Sequence, residues 1–464
     1  MNRYKKLITN SLIFSIGNFG SKLITFFLVP LYTFYLTTSQ YGEVDLVTTT
    51  VNLLLPIFSF ALTDAVVRFV LDSNYNNKKV ISTVFGVLMF SSVLLIILTP
   101  IIRLITVVEH YYIYFIVILV LQIFQSVLSQ YLRAINKIKQ YAINSIVLTT
   151  VICGSNVILL VFFKLGIDGY FISQILGCLS SIAFLIFVSK VHKQIGISYF
   201  DKSLSIEMLK FSIPLIPTYV LWWLVNGASR YFIAFFIGAT ANGLFAVASK
   251  IPSLLNMLSN IFMQSWQISA IEEDNSKDKS IFYSKVFNLY IRLLFLCISG
   301  MLVFLRPVMS VIVDVTFYDS WKLIPFLLIA AVYSAISGFL GQIYVVAKRT
   351  NGMLKTSLFP GIISVLANLI FIPFIGIIGA SIAQMLGWGV AVIYRIIDTR
   401  KYLKFSIDLK YLTIVHLIVF IQIFSLNAGE NLFLTVVNSL LFMVMFVLNL
   451  KLMKDMLPNI FPKK

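Results

Sequence analysis

The sequence predicts an all-α polytopic membrane protein of about fourteen transmembrane helices, read as two six-helix lobes related by a parallel pseudo-twofold repeat plus two extra C-terminal helices. Three observations predict it. The composition cannot coat a soluble surface, apolar runs of spanning length recur along the whole chain, and a basic excess collects on one side of those runs. Of 464 residues, 59% are hydrophobic, 15% aromatic and only 12% charged, whereas a soluble domain carries about 25% charged residues.

The apolar runs fall at 11–36, 43–70, 80–102, 111–132, 142–163, 169–189, 211–237, 243–270, 285–305, 323–346, 355–375, 377–397, 410–427 and 432–450. Each approaches or exceeds the roughly 20 residues that cross the hydrocarbon core. They are continuously apolar rather than alternating, which excludes a closed β-barrel. The first apolar stretch, Leu7 to Leu36, is too long for the h-region of a cleaved signal, about 7–15 residues, and reads as a retained helix. Pro30, Pro56, Pro214, Pro217 and Pro252 lie in the first, second, seventh and eighth spans. There the missing N–H frees a carbonyl and kinks the helix, which suits bending gates.

The formal charge is +18, from 36 Lys and Arg against 18 Asp and Glu. With the N-terminus inside, alternate breaks carry Lys78 and Lys79, Arg133, Lys137 and Lys139, Lys190 and Lys193, Lys277 and Lys279, Lys348 and Arg349, and Arg395 through Lys410. The other breaks carry only Arg103, Lys164, Arg306 and Lys322. This is a positive-inside pattern. It requires an even number of spans, places both termini in the cytoplasm, and removes the nucleic-acid reading that a basic soluble chain would invite. The loops are short on both faces, which leaves no soluble catalytic domain. Cys153, Cys178 and Cys297 sit in apolar runs without disulfide or metal-ligand spacing. His110 and His192 fall at span ends, and His416 packs the thirteenth span.

An internal duplication underlies the two lobes. The segment from Gly166 to Gly177 matches that from Gly376 to Gly387 in the pattern Gly-Ile-x-Gly-x-x-Ile-x-Gln-x-Leu-Gly. A weaker echo aligns Tyr41-Gly42 with Asn242-Gly243. Six spans per copy is even, so both copies run the same way through the membrane, a known transporter plan. The lobes are then 1–200 and 201–405, with 406–464 forming two further helices and a cytoplasmic tail.

Polar residues stripe the paired helices. Ser11, Ser15, Asn18, Lys22 and Thr25 share a face of about 80° in the first span. Asp45, Thr48, Asn52, Ser59 and Thr63 share about 60° in the second. In the eighth span Lys250, Ser253, Asn260 and Gln264 line up, and in the seventh Trp222, Asn226 and Arg230 follow every four residues. Such faces turn toward protein or a water-filled cavity. Packing between helices accounts for some of them; equivalent stripes in both copies point to a central cavity. Lys22, Arg68, Arg230, Lys250 and Arg292 lie within spans, where a cation at mid-depth costs about 2.5–3.5 kcal/mol. Arg68 is expected to pair with Asp64, and Arg292 to snorkel. Glu43 and Asp45 sit near the outer mouth, as weak candidates for a proton or Na⁺ site. The expected cavity is net cationic, which suits an anion such as phosphate or pyrophosphate.

The opening Asn10-Ser11-Leu12-Ile13-Phe14-Ser15-Ile16-Gly17-Asn18, then Leu28-Val29-Pro30-Leu31-Tyr32, then Tyr41-Gly42 entering the second span, resemble the multidrug/oligosaccharidyl-lipid/polysaccharide flippase superfamily. Within it the chain looks like the polysaccharide repeat-unit flippases of O-antigen, capsule and exopolysaccharide pathways. The resemblance implies a bacterial plasma-membrane protein that moves undecaprenyl-pyrophosphate-linked oligosaccharide from the inner to the outer leaflet by alternating access. It implies that Lys22, Arg230 and Lys250 hold the pyrophosphate. The polar lining is then Ser15, Asn18, Thr25, Asn52, Ser59, Asn226, Ser253, Asn260 and Gln264. No cofactor is expected, only H⁺ or Na⁺ coupling and the membrane potential. The partners implied are the lipid-linked oligosaccharide, membrane lipids, and a polymerase and glycosyltransferases of the same pathway, around a monomer.

Three alternatives stand beside this reading. A drug/cation antiporter of the same superfamily needs cavity carboxylates, and few are present. A lipid-linked glycan polymerase or glycosyltransferase needs a sizeable outer loop with catalytic residues. A passive channel leaves the duplication plus two extra helices unexplained.

Overall fold

The computed structural model describes residues 20–21, 24–72, 74–103, 109–272, 276–347, 350–429 and 431–460. Among these the ordered structure is helical, with no strand. Twelve helices are long and apolar enough to cross a membrane, and a bent pair supplies a thirteenth. A shorter apolar helix, Ile24–Tyr35 (α1), falls in the first predicted span. A helix therefore stands at each of the fourteen predicted positions.

The bent pair is α2, Thr38–Phe58, followed by α3, Leu62–Leu71. A capping box starts α2: Gln40 N donates to the Thr37 hydroxyl at 3.2 Å, and Thr37 N donates to the Gln40 side chain at 3.0 Å. The sequence predicts one kinked helix over 43–70; the structure breaks it by 46°. Pro56 stays within α2, and the break follows at Phe60 and Ala61, both left-handed with φ of 49° and 50°. Non-glycine residues in that region are strained. The break persists because its carbonyls are satisfied. The Ser91 hydroxyl donates to the Phe58 carbonyl, and Leu62 N donates to the Ser59 carbonyl at 2.9 Å.

Helices α4 (Asn77–Ile97), α5 (Tyr112–Ala134), α6 (Ile138–Asn156) and α7 (Gly166–Ser189) follow. In α5, Phe115, Leu119, Ile123 and Val127 recur every four residues and are all buried, forming the stripe that faces the core. The seventh span is built in pieces: α8 (Lys202–Ser212), α9 (Ile216–Asn226) and α10 (Ala228–Phe236). Pro214 lies in the short 3₁₀ turn Ile213–Leu215 that joins α8 to α9, and Pro217 in the first turn of α9, where no N–H is missed. The Asp201 carboxylate caps α8 by accepting from Ser203 N and Leu204 N; those bonds, with Lys79 at 3.6 Å, hold its pKa below the usual carboxylate value. Next come α11 (Ala239–Ala248), α12 (Lys250–Glu272), α13 (Lys279–Val303), α14 (Ile324–Val346), α15 (Thr350–Ile375), α16 (Ile377–Thr399), α17 (Leu409–Ala428) and α18 (Leu432–Ile460).

The duplicated motif explains itself as a helix hairpin made twice. Gly166 and Gly376 turn the chain with φ of 55° and 66°. One helical stretch later, a Cβ on Gly177 would overlap Ile152 of the preceding helix, and one on Gly387 would crowd Ser364 of its own preceding helix. Small residues at these points let the backbones approach, which is how helices associate in lipid.

Packing divides the chain into two compact units, Met1–Ala234 with Gly238–Gly243, and Phe235–Ile237 with Leu244–Lys464. The predicted lobes divide the chain by repeat instead, at 200/201. The two divisions differ because α8, α9 and most of α10 pack with the first unit, where Trp223 Nε1 donates to the Thr49 carbonyl at 3.0 Å. In the second unit, α14 is the most enclosed helix. Its Phe339 stacks on Trp266 at 4.4 Å, and Tyr283 meets the same indole edge-on at 4.8 Å. Each such pair contributes about 0.5–1.5 kcal/mol beyond burial.

Candidate functional site

In the first unit the residues of the predicted stripe on α2 differ in exposure. Asp45 and Thr48 are half-buried, and Asn52 is exposed. Thr25 on α1 and Asn226 on α9 are exposed as well. These amides and hydroxyls sit in helices that are otherwise apolar, and lipid would not tolerate them. The stripe does not extend to Ser59, which is 1% exposed at the helix break. Ser15, Asn18 and Lys22 lie outside the described residues.

The second unit carries a comparable face on α12. Ser253, Asn260 and Gln264 are exposed. Lys250 is half-buried at the start of that helix, where the Ser253 hydroxyl donates to its carbonyl at 2.6 Å. Among the described residues Lys250 forms no ion pair.

Arg230 is brought to Asp45. Its Nε donates to Asp45 Oδ2 at 2.7 Å, with the two side chains only 16% and 13% exposed. Nη1 of the same guanidinium donates to the Asn226 carbonyl at 2.9 Å. Asn242 joins them: its Nδ2 donates to the Gly42 carbonyl at 2.9 Å and to Asp45 Oδ2 at 3.3 Å. Asn242 is fully buried, and its Oδ1 has no partner. Beside this cluster α2 and α11 cross at closest approach. A Cβ on Gly42 would overlap the Ala239 carbonyl, and a Cβ on Gly243 would overlap the Thr38 carbonyl. The contact is reciprocal under the same shift that aligns Tyr41-Gly42 with Asn242-Gly243.

The other charges within spans are accounted for as follows. Glu43 accepts from the Tyr111 hydroxyl at 2.9 Å and from Ser39 at 3.3 Å. Asp64 accepts from the Tyr219 hydroxyl at 2.6 Å; the expected ion pair with Arg68 does not form among the described residues, and Arg68 is exposed near the end of α3. Arg292, expected to snorkel, pairs with Asp408 at 2.9 Å and lies 3.8 Å over the Tyr411 ring. His416 packs as expected, with Tyr333 and the Leu412 carbonyl at its two ring nitrogens.

One cation was misplaced by sequence. Arg395, read as part of a cytoplasmic break, is 2% exposed inside the second unit. Its Nη1 donates to the Ser337 carbonyl at 2.7 Å, Nη2 to Ser357 at 3.1 Å and Nε to Thr356 at 3.3 Å. It thus ties α14, α15 and α16 together. No signal in its own segment marks it, because its acceptors come from two other helices 38 to 58 residues away. Among the described residues no three His, Cys, Asp or Glu side chains gather as a metal site, and the three cysteines are unpaired thiols.

A family model described as "Polysaccharide biosynthesis protein" matches residues 7–267. Among solved structures, the lipid II flippase MurJ in an inward closed conformation superposes with a TM-score of 0.74 at 15% identity, over 96% of this chain and 100% of that one. A multidrug resistance transporter of the MATE family in its inward-facing conformation gives 0.64 at 14% identity, over 84% of this chain and 98% of that one. An outward-facing MATE transporter gives 0.61 at 14% identity, over 85% and 94%. No curated protein matches the chain by sequence. At these identities the solved structures establish a common fold, and the proteins that share it are flippases and transporters rather than enzymes.

Proposed function

The chain belongs to the polysaccharide biosynthesis protein family, and on that premise we propose that it flips undecaprenyl-pyrophosphate-linked oligosaccharide repeat units from the inner to the outer leaflet of a bacterial plasma membrane. The lipid-linked product would feed a polymerase for O-antigen, capsule or exopolysaccharide. The observation that carries the reading is the pair of exposed polar faces within membrane-spanning helices, Thr25, Asn52 and Asn226 in one unit and Ser253, Asn260 and Gln264 in the other. Sugar hydroxyls both donate and accept, and amides and hydroxyls answer both needs.

The diphosphate needs cations. Lys250 stands half-buried at the end of its polar face with its ammonium uncommitted to any carboxylate among the described residues, and Arg230 stands between Asp45 and the Asn226 carbonyl. Lys22 is the third proposed contact. The head group would enter from the cytoplasmic side while the prenyl tail stays in lipid, and alternating access would release it outside. Each charge moved is worth about 2.3 kcal/mol per 100 mV, so an inside-negative potential favours outward movement of the anion. Resetting the empty carrier by H⁺ or Na⁺ coupling through Asp45 or Glu43 completes the proposal. Asp45 can take part only when its bond to Arg230 opens.

The test is complementation of a strain deleted for the gene. Wild type should restore surface glycan, whereas Lys22→Ala and Lys250→Ala should each lower it several-fold at equal membrane abundance. Full glycan from both variants would remove the cationic-contact role. Ethidium efflux without glycan restoration would favour the drug/cation antiporter instead.

A further inference from the structure

The proposed contact Arg230 is already occupied by a carboxylate, and that carboxylate does a second job. Asp45 accepts from Arg230 through the same oxygen that receives Asn242. Asn242 in turn holds the Gly42 carbonyl, beside the reciprocal crossing of Gly42 with Ala239 and Gly243 with Thr38. All of these residues belong to the first unit. The anion that neutralises the binding cation is therefore wired to the tightest helix crossing next to it.

We propose that Asp45 is a resident stand-in for the substrate's diphosphate: an arriving diphosphate takes Arg230 from Asp45, and the displaced carboxylate loosens Asn242 and the glycine crossing. Withdrawing Asp45 with nothing in its place takes the carboxylate away from a mostly buried cation, which is strongly unfavourable. A diphosphate removes that penalty, because its several oxygens accept charge-assisted bonds from the guanidinium fork. Opening of the crossing is then cheap with cargo and costly without it, so an empty carrier stays shut. Asn242 suits the linking role. It is fully buried, and its Oδ1 has no partner, so its described bonds are those two donations. The direction of transport rests on the flippase reading above; the anion exchange does not.

Two measurements on the full-length protein in nanodiscs test the exchange, with inorganic pyrophosphate as the probe. The first is calorimetric affinity. Asp45→Asn removes the competing charge and should bind pyrophosphate about tenfold more tightly than wild type, since a hydrogen bond to a charged group is worth at least that factor. Adding Arg230→Gln should abolish the gain. Asp45→Glu, which keeps the charge, should bind as weakly as wild type; it also carries the comparison should the asparagine variant fail to fold, because Arg230→Gln in that background must then lose the residual affinity. The second is the distance between nitroxide labels at Ser39→Cys and Thr240→Cys, which flank the crossing. Pyrophosphate should widen it in wild type and leave it unchanged in Arg230→Gln. Asn242→Ala should widen it without pyrophosphate and without a gain in affinity. Equal affinity for wild type and Asp45→Asn, or bound pyrophosphate with an unmoved distance, overturns the exchange. Failure of the wild-type gene to restore surface glycan would instead remove the flippase reading and leave the exchange standing.

Discussion

Arg395 shows what a single guanidinium does when it is buried among neutral acceptors. A carbonyl and two hydroxyls from two neighbouring helices satisfy it, and Gly341 makes room, since a Cβ there would lie 3.2 Å from Nη1. Arg395→Ala should destabilise the protein by about 3 kcal/mol, because buried acceptors lose their donor and a void opens. Thermal unfolding in detergent reads this as a lower midpoint. Arg395→Lys should recover only part, because an ammonium lacks the planar fork that reaches two neighbouring helices at once. An unchanged midpoint for Arg395→Ala would refute the stapling role. This residue was not legible in the sequence. Its place at the end of an apolar run reads as cytoplasmic, and the direction of a side chain near a helix end is decided by what packs there. Arg230 and Asp45 were each legible as intramembrane charges. Their pairing was not, because they lie 185 residues apart and only packing brings α10 to α2.

At the scale of helices, the α2–α11 crossing makes the sharpest demand. Both obstructing atoms are backbone carbonyls, which cannot swing aside as a side chain does. Gly42→Val should therefore hold the helices apart, keep the protein in the membrane, and reduce surface-glycan complementation at least tenfold if closure of this crossing is part of each cycle, about 1.4 kcal/mol or more in the closing equilibrium. Gly243→Val should do the same, and normal complementation by either would show that the crossing need not close. The helices themselves were legible nearly throughout, because runs of the required length are hard to mistake. The break at Phe60 and Ala61 was not. Pro56 signalled a kink, but its site moved to where Ser91 of α4 supplies a hydroxyl for the Phe58 carbonyl. A turn that depends on a partner from another helix is invisible within its own segment.

For the whole molecule, the charge distribution predicts orientation. In a variant lacking Cys153, Cys178 and Cys297, a membrane-impermeant maleimide applied to intact cells should label Lys322→Cys and spare Lys277→Cys. Labelling of Lys277→Cys alone would invert the assignment. The duplication was legible from one glycine-rich motif and one dipeptide echo, and the structure gives both a physical basis. The motif is a hairpin built twice, and the echo marks the place where α2 and α11 lean on each other through matching positions. That last feature bears on genetics. Because each glycine is opposed by main chain of the helix it crosses, trimming a neighbour cannot rescue a bulky replacement. Spontaneous revertants of Gly42→Val should return to glycine at codon 42 itself, since even an alanine Cβ would meet the Ala239 carbonyl, and second-site suppressors at 239 or 243 should be absent from the harvest.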